Sequence, residues 1–234
     1  MHHNFNQDYV HHQSSRFSDV LREVVFGMED GMVSTLGSIT GIAIGSGNHY
    51  TVVLAGIVII AVESISMGIG SYLSSRSQEE LEKRKIQEET EEISSFPQEE
   101  KDELFKIYIE EGWPKNLAKE MTNTASQNQK LMLKEMAIRE LNVFPSKNST
   151  SIKGGLYMFG AYVIGGIIPL FSYFVSPIKT AVPISIGLTL IGLFVLGATT
   201  TKFTKQPFLK SGLRMLIIGG IALGVGLIAG ILAG

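Results

Sequence analysis

The chain has 234 residues, 44% of them hydrophobic and 18% charged, and carries a formal net charge of −2. It holds no cysteine, which excludes disulfide scaffolds, thiolate metal sites and cysteine nucleophiles. The net charge averages opposites: most of the 22 acidic residues fall between Arg76 and Thr150 and none follows Glu140, so the last third has the composition of membrane helices rather than of a soluble core.

Residues 1–22 read as a polar tail, with no short apolar core and no small-residue cleavage site of the kind a signal peptide has. Its histidines, His2, His3, His11 and His12, read as side chains of a mobile segment rather than ligands. Residues 23–74 contain two stretches long and apolar enough to cross about 30 Å of hydrocarbon, Val24 to Ile44 and Thr51 to Leu73. Residues 75–150 are helical by pattern. SQEELEKRKIQEETEEISS continues the second span, Pro97 fits the first turn of a new helix that Gly112 ends, and Pro114 opens a short helix. A last helix is expected from about Gln127 to Asn142, before Pro145. Residues 151–234 hold three further spans, Leu156–Val175, Val182–Thr200 and Leu213–Ala233, free of acids and rich in glycine, which lets helix backbones approach closely.

The expected fold is an all-α membrane protein of five transmembrane helices, with a cytosolic, helical, metal-binding insert between helices 2 and 3. Lys202, Lys205, Lys210 and Arg214 between the last two spans, Arg16 and Arg22 before the first, and Arg76 after the second agree on one side. By the positive-inside rule the N-terminus and insert face the cytosol and the C-terminus the far side. A multi-pass protein without targeting extensions suggests a prokaryotic plasma membrane, with an organellar membrane as the alternative.

Two constellations carry chemistry. Asp30 and Glu63 lie within apolar stretches, where a carboxylate costs roughly 2.5–3.5 kcal/mol even on the lenient insertion scale and usually faces a bundle interior or a water path. Asp30, Ser34 and Ser38 recur at helical spacing, as do Glu63 and Met67. If the two faces meet, oxygen and sulfur ligands line a track suited to Fe²⁺, Mn²⁺ or Zn²⁺ rather than Na⁺ or Ca²⁺. Metal and proton would compete for the same carboxylates, the basis of exchange against protons. The plainer reading puts Glu29 and Asp30 at the membrane lip and lets Glu63 hydrogen-bond a neighbouring helix.

The second constellation is acidic. Glu89 and Glu92 share one helix face and Glu100 and Glu103 another, and the SSFP turn between them allows a hairpin on which four carboxylates converge. Met136 and Glu140 on the closing helix would complete the shell, as carboxylates on facing helices do in metal-holding bundles. The plainer reading is a solvated face whose acids pair with Lys83, Lys85, Lys101 and Lys106. Trp113 reads as a packing residue, His49 has no evident partner, and Lys202–Lys210 reads as a topology signal with some attraction to anionic lipid. No Gly-rich phosphate loop, no HExxH and no nucleophile–base pattern is found, so neither an enzyme, a cofactor nor a nucleic-acid partner is expected.

DGMVSTLGSITGIAIGSG in span one, SISMGIGSYLSSRSQEE at the end of span two, the E-x2-E-x7-E-x2-E pattern at Glu89, Glu92, Glu100 and Glu103, and MAIRELNV resemble the vacuolar iron transporter family, which includes calcium-cross-complementing and nodulin-21-like proteins. The resemblance runs from about Arg22 to the C-terminus. It implies a homodimer with a path at its interface between the first two spans, moving Fe²⁺, often Mn²⁺ as well, out of the cytosol against protons. It further implies that Asp30 and Met67 belong to the path, and that the four insert glutamates, Met136 and Glu140 form a cytosolic metal site. Two positions depart from the family pattern. Ile59 stands where the family carries an acid two turns before Met67, with Glu63 one turn closer as its replacement, and Ala137 stands where a second methionine is usual. The rival readings are a membrane-anchored metal sensor or scaffold that moves no cation, and a transporter of another cation such as Mn²⁺ or Ca²⁺; Met67 and Met136 argue against Ca²⁺ but do not separate Fe²⁺ from Mn²⁺, Co²⁺ or Zn²⁺.

Overall fold

The computed structural model describes residues 17–143 and 151–233. The tail histidines, Arg16 and Pro145 lie outside the described residues. These form eight α-helices: α1 (Phe17–Ser46), α2 (His49–Ser95), α3 (Pro97–Glu110), α4 (Lys115–Ser126), α5 (Gln129–Arg139), α6 (Ser151–Val175), α7 (Ile178–Thr204) and α8 (Phe208–Ala233). They make two compact units, one of residues 1–72 and 152–234 and one of residues 73–151.

In the first unit, glycine sets how close the helices come. Gly37, Gly41 and Gly45 recur every fourth residue on α1 and face Ala222, Gly226 and Gly230 at the same spacing on α8. A Cβ at Gly41 would stand 2.5 Å from the Gly226 carbonyl oxygen, and one at Gly37 or Gly45 3.0 Å from the oxygen of Ala222 or Gly230. Only bare backbone fits this seam, the small-residue packing that replaces hydrophobic collapse inside lipid. Ile39 and Ala43 of α1 close a core with Val52 and Ile60 of α2, Leu170 and Tyr173 of α6 and Ala181 of α7. Met32 packs a second one with Leu193 and Leu196 of α7. Pro169 lies inside α6, and its carbonyl accepts a hydrogen bond from the Ser185 hydroxyl of α7 at 2.7 Å, while Ser172 donates to the Ala181 carbonyl at 2.9 Å. These bonds satisfy buried hydroxyls that have no water to turn to.

Among the described residues, four helices are long and apolar enough to cross a membrane: α2, α6, α7 and α8. The chain is an all-α, multi-pass integral membrane protein. The sequence reading expected five spans; α1, at 30 residues, has the length but not the apolarity, because Glu23, Glu29 and Asp30 and its serines and threonines dilute the apolar face.

The second unit begins within α2, which runs 47 residues without a break. Its polar half is supported by ion pairs one turn apart, Arg76 to Glu80 and Arg84 to Glu88, both at 2.7 Å. Pro97 occupies the first turn of α3 with Glu99 and Glu100 beside it, where negative charge suits the helix dipole. Gly112, at φ +92°, supplies the left-handed residue that turns the chain toward α4. The closing helix starts at Gln129 rather than Gln127 because Asn128 caps it, its side chain accepting from the backbone N–H groups of Lys130 and Leu131, and it ends at Arg139 rather than at Asn142, which lies in the left-handed region at φ +54°. Ile93, Leu104, Tyr108, Ala118, Ala125, Met132 and Met136 form the core of this unit.

Candidate metal path and carboxylate cluster

Asp30 and Ser34 lie on α1, Glu63 and Met67 on α2. Tyr162 from α6 donates to Ser34 Oγ at 3.1 Å, and Asp30 and Glu63 lie near enough for their charges to act on each other and on the Tyr162 hydroxyl. Glycine again makes the meeting possible. Gly31 packs against the Tyr162 carbonyl and Gly165 against that of Met28, so α6 lies close enough for a fully buried tyrosine to reach across to α1. Asp30, Ser34 and Met67 are half-buried, while Glu63 is exposed on the single chain. Beside Met67, α2 meets α6 through Gly68 and Gly155, where a Cβ at Gly155 would stand 2.6 Å from the Gly68 oxygen.

Two residues of this region escaped the sequence reading. Tyr162 gave no signal, being an aromatic in a glycine-rich span. Glu23 did: it lies seven residues before Asp30, hence on the same helix face. It is 7% exposed, accepting from Ser71 Oγ of α2 at 2.8 Å and from Arg22 at 2.9 Å. The bonding expected of Glu63 in the plainer reading is therefore made instead by Glu23, a turn or two along the bundle.

In the second unit, Glu89 and Glu100 are 2% and 7% exposed and hydrogen-bonded to each other. Oε1 of Glu89 and Oε2 of Glu100 have no further hydrogen-bond partner. Burial, then the charges of Glu140 and Glu100, the Glu100 hydrogen bond and the charge of Glu92 push the Glu89 carboxyl up to about 8. Burial raises Glu100 as well, opposed by its bond to Glu89 and reinforced by Glu103, Glu92 and Glu99. Burial raises Glu140, and Glu103, Glu100 and Glu92 add to it. Six carboxylates from α2, α3 and the end of α5, Glu99 among them, thus stand in one another's field. Burial and the mutual repulsion of these acids both favour the protonated form of Glu89 and Glu100.

None of Lys83, Lys85, Lys101 and Lys106 forms an ion pair with these acids among the described residues. Glu92, Glu103 and Glu140 are exposed, and Glu140 is the residue that caps α5. Met136 is wholly buried in the apolar core of the unit. Among the described residues no three His, Asp or Glu side chains stand at the spacing of a closed metal shell; the carboxylates are gathered but not closed around a point.

A clamp fixes the end of α5. Arg139 donates to Glu135 at 2.9 Å and to Glu111 at the end of α3, and its guanidinium lies 4.8 Å above the Tyr108 ring. Tyr108 donates to Glu135 at 3.0 Å, and Trp113 donates to Glu111 at 3.1 Å, so Trp113 is part of the clamp. The Arg139 hydrogen bond holds the Glu111 carboxyl below its usual range, while burial, then Glu135, pushes the Tyr108 hydroxyl up to about 12.

The sequence model described as the VIT family matches residues 21–231. "Vacuolar iron transporter 1" of Tulipa gesneriana is 30% identical over 214 residues, covering 90% of this chain and 87% of its own length. The protein of the same name from Oryza sativa subsp. japonica is 31% identical over 216 residues, 91% of this chain and 85% of that one. "Vacuolar iron transporter" of Plasmodium berghei (strain Anka) is 29% identical over 230 residues, 94% and 84%. These names lend no support to the prokaryotic plasma membrane expected from the sequence. A family match across nearly the whole chain, in a chain with four helices long and apolar enough to cross a membrane among its described residues, leads to one conclusion: the chain belongs to the VIT family.

Proposed function

We propose that the chain carries divalent iron, with manganese as a second cargo, out of the cytosol in exchange for protons. The observation that carries this reading is the meeting of Asp30 and Glu63 beside the Tyr162–Ser34 hydrogen bond, within the membrane unit of a chain whose relatives are named iron transporters. Asp30, Ser34, Glu63 and Met67 form the path, with Glu63 in the role of the acid absent at Ile59. A carboxylate in an apolar setting binds a proton or a metal but not both, which couples the two fluxes.

In the same reading α1 is the fifth span, its polar face turned to the path and, in a homodimer, to the partner; the exposure of Glu63 on the single chain is consistent with a path completed by a second copy. The unit of residues 73–151 is cytosolic. Its acids, Glu89, Glu92, Glu100, Glu103 and Glu140, capture metal and raise its local concentration through their negative field, while Met136 packs the core beneath them. The relatives' names favour an organellar membrane.

Proteoliposomes with an internal metal-quenched dye and a pH dye test this reading. Fe²⁺ influx coupled to proton efflux, and its loss in Asp30→Ala, is the expected result. A folded wild type that binds metal and passes none would shift the assignment to a membrane-anchored sensor.

A further inference from the structure

One end of the membrane unit holds chemistry that transport does not use. A cavity of about 410 Å³ opens between the start of α1, the end of α7 and the start of α8. Arg22, Lys210 and Arg214 reach it, with Glu29 as the one acidic side chain in its wall. Lys210 and Arg214 are four apart on α8, both exposed, and neither has an ion-pair partner among the described residues. Arg22 is tied to Glu23 yet stays 70% exposed. Even with Arg22 counted against Glu23 and one further cation against Glu29, the cavity keeps a positive excess. The rest of its wall is mixed: an apolar side of Leu21, Val25, Met215 and Phe26, the last 51% exposed, and the polar side chains of Thr200, Gln206 and Ser211.

We propose that this cavity binds the headgroup of an anionic phospholipid, its phosphate between Lys210 and Arg214 and the first carbons of its chains against Phe26 and Met215. Phosphate is the chemistry two spaced cations recognise, and a basic pocket between membrane helices at the basic side of a protein is where anionic headgroups lodge. The volume falls in the range of small-ligand pockets. A free anion would satisfy the cations but leave Phe26 and Met215 facing water; a lipid satisfies both. The inference does not depend on the transported metal.

Native mass spectrometry of the full chain, titrated with phosphatidylglycerol or phosphatidylcholine, tests it. One phosphatidylglycerol bound per chain in preference to phosphatidylcholine is expected. Lys210→Gln with Arg214→Gln should weaken that binding about 30-fold, and Lys210→Gln alone, at an exposed side chain that folding tolerates, about fivefold. Lys202→Gln with Lys205→Gln, on the same basic stretch but outside the cavity, should leave it unchanged. Equal binding of the two lipids overturns the proposal, as does an equal loss in the Lys202/Lys205 variant, which would mean diffuse attraction to a basic loop. Displacement of the lipid by millimolar inorganic phosphate would overturn the lipid assignment in favour of a free anion.

Discussion

The molecule gathers carboxylates twice, and the two gatherings differ in what surrounds them. Asp30 and Glu63 meet in a membrane unit, half-buried or exposed, beside hydroxyls from Ser34 and Tyr162. Glu89 and Glu100 are buried against each other, with oxygens that no hydroxyl or amide satisfies and four more acids, Glu92, Glu99, Glu103 and Glu140, in the field. In the proposed function the first arrangement offers a cation brief, replaceable contacts. The second is under electrostatic strain that only a proton or a metal relieves. Low cost of release suits a path; high cost of vacancy suits capture.

The largest expected effect lies on the path side. Asp30→Asn keeps the side chain's shape but removes its charge, and should cut metal flux by about 100-fold or more, beyond what loss of a supporting partner costs. Metal binding to the purified full chain, read by calorimetry, should persist, because the second cluster is untouched. Next, Glu100→Gln with Glu103→Gln should raise the metal concentration for half-maximal flux by about tenfold while leaving maximal flux near the wild-type value. A drop in maximal flux instead would mean that the cluster is part of the path, and the distinction between the two gatherings would collapse.

The strain itself can be measured. Burial, then the neighbouring acids, pushes the Glu89 carboxyl up to about 8 from an ordinary value of 4.5, so the folded state binds the proton more tightly than the unfolded one. Its contribution to stability is thus fully present below pH 4.5 and is lost as pH rises toward 8. Glu89→Gln, permanently neutral, should be more stable than wild type at pH 8 by on the order of 1–3 kcal/mol and show a flatter pH profile in metal-free thermal unfolding. A variant no more stable than wild type at pH 8 would mean that the pair is solvated.

The clamp gives a smaller effect. Arg139→Ala leaves Glu111 and Glu135 without their partner and frees the end of α5, at a cost of about 1–3 kcal/mol in unfolding, and should weaken metal binding through Glu140. Arg139→Lys, which keeps charge but not the forked geometry, should restore only part of it.

Local chemistry was legible in the sequence where it acts on its own neighbours. Pro97 opened α3, Gly112 ended it, and α2 ran unbroken through residues where apolar side chains give way to charged ones, because each depends on backbone dihedrals or one-turn pairing. The three- and four-residue spacings already placed Glu89 with Glu92 and Glu100 with Glu103. Tyr162 was invisible because its role rests on α6 approaching α1 at Gly31 and Gly165, a tertiary fact with no local periodicity. Met136 shows the reverse: its sulfur suggested an open ligand, yet hydrophobic packing claims the side chain for the core with Leu104 and Tyr108. The later start of α5 turned on Asn128, whose capping bonds outweighed the helical pattern around it, and its earlier end goes with the left-handed Asn142.

The most direct test of two acidic gatherings with separate tasks is a paired titration of Fe²⁺ flux in proteoliposomes, with wild type, Asp30→Asn and Glu100→Gln/Glu103→Gln reconstituted side by side. The account predicts a proton-coupled saturable curve for wild type, a flat line for Asp30→Asn, and for the double variant a curve shifted to higher metal with its plateau kept. A double variant as flat as Asp30→Asn, or an Asp30→Asn curve with its plateau intact, would contradict it.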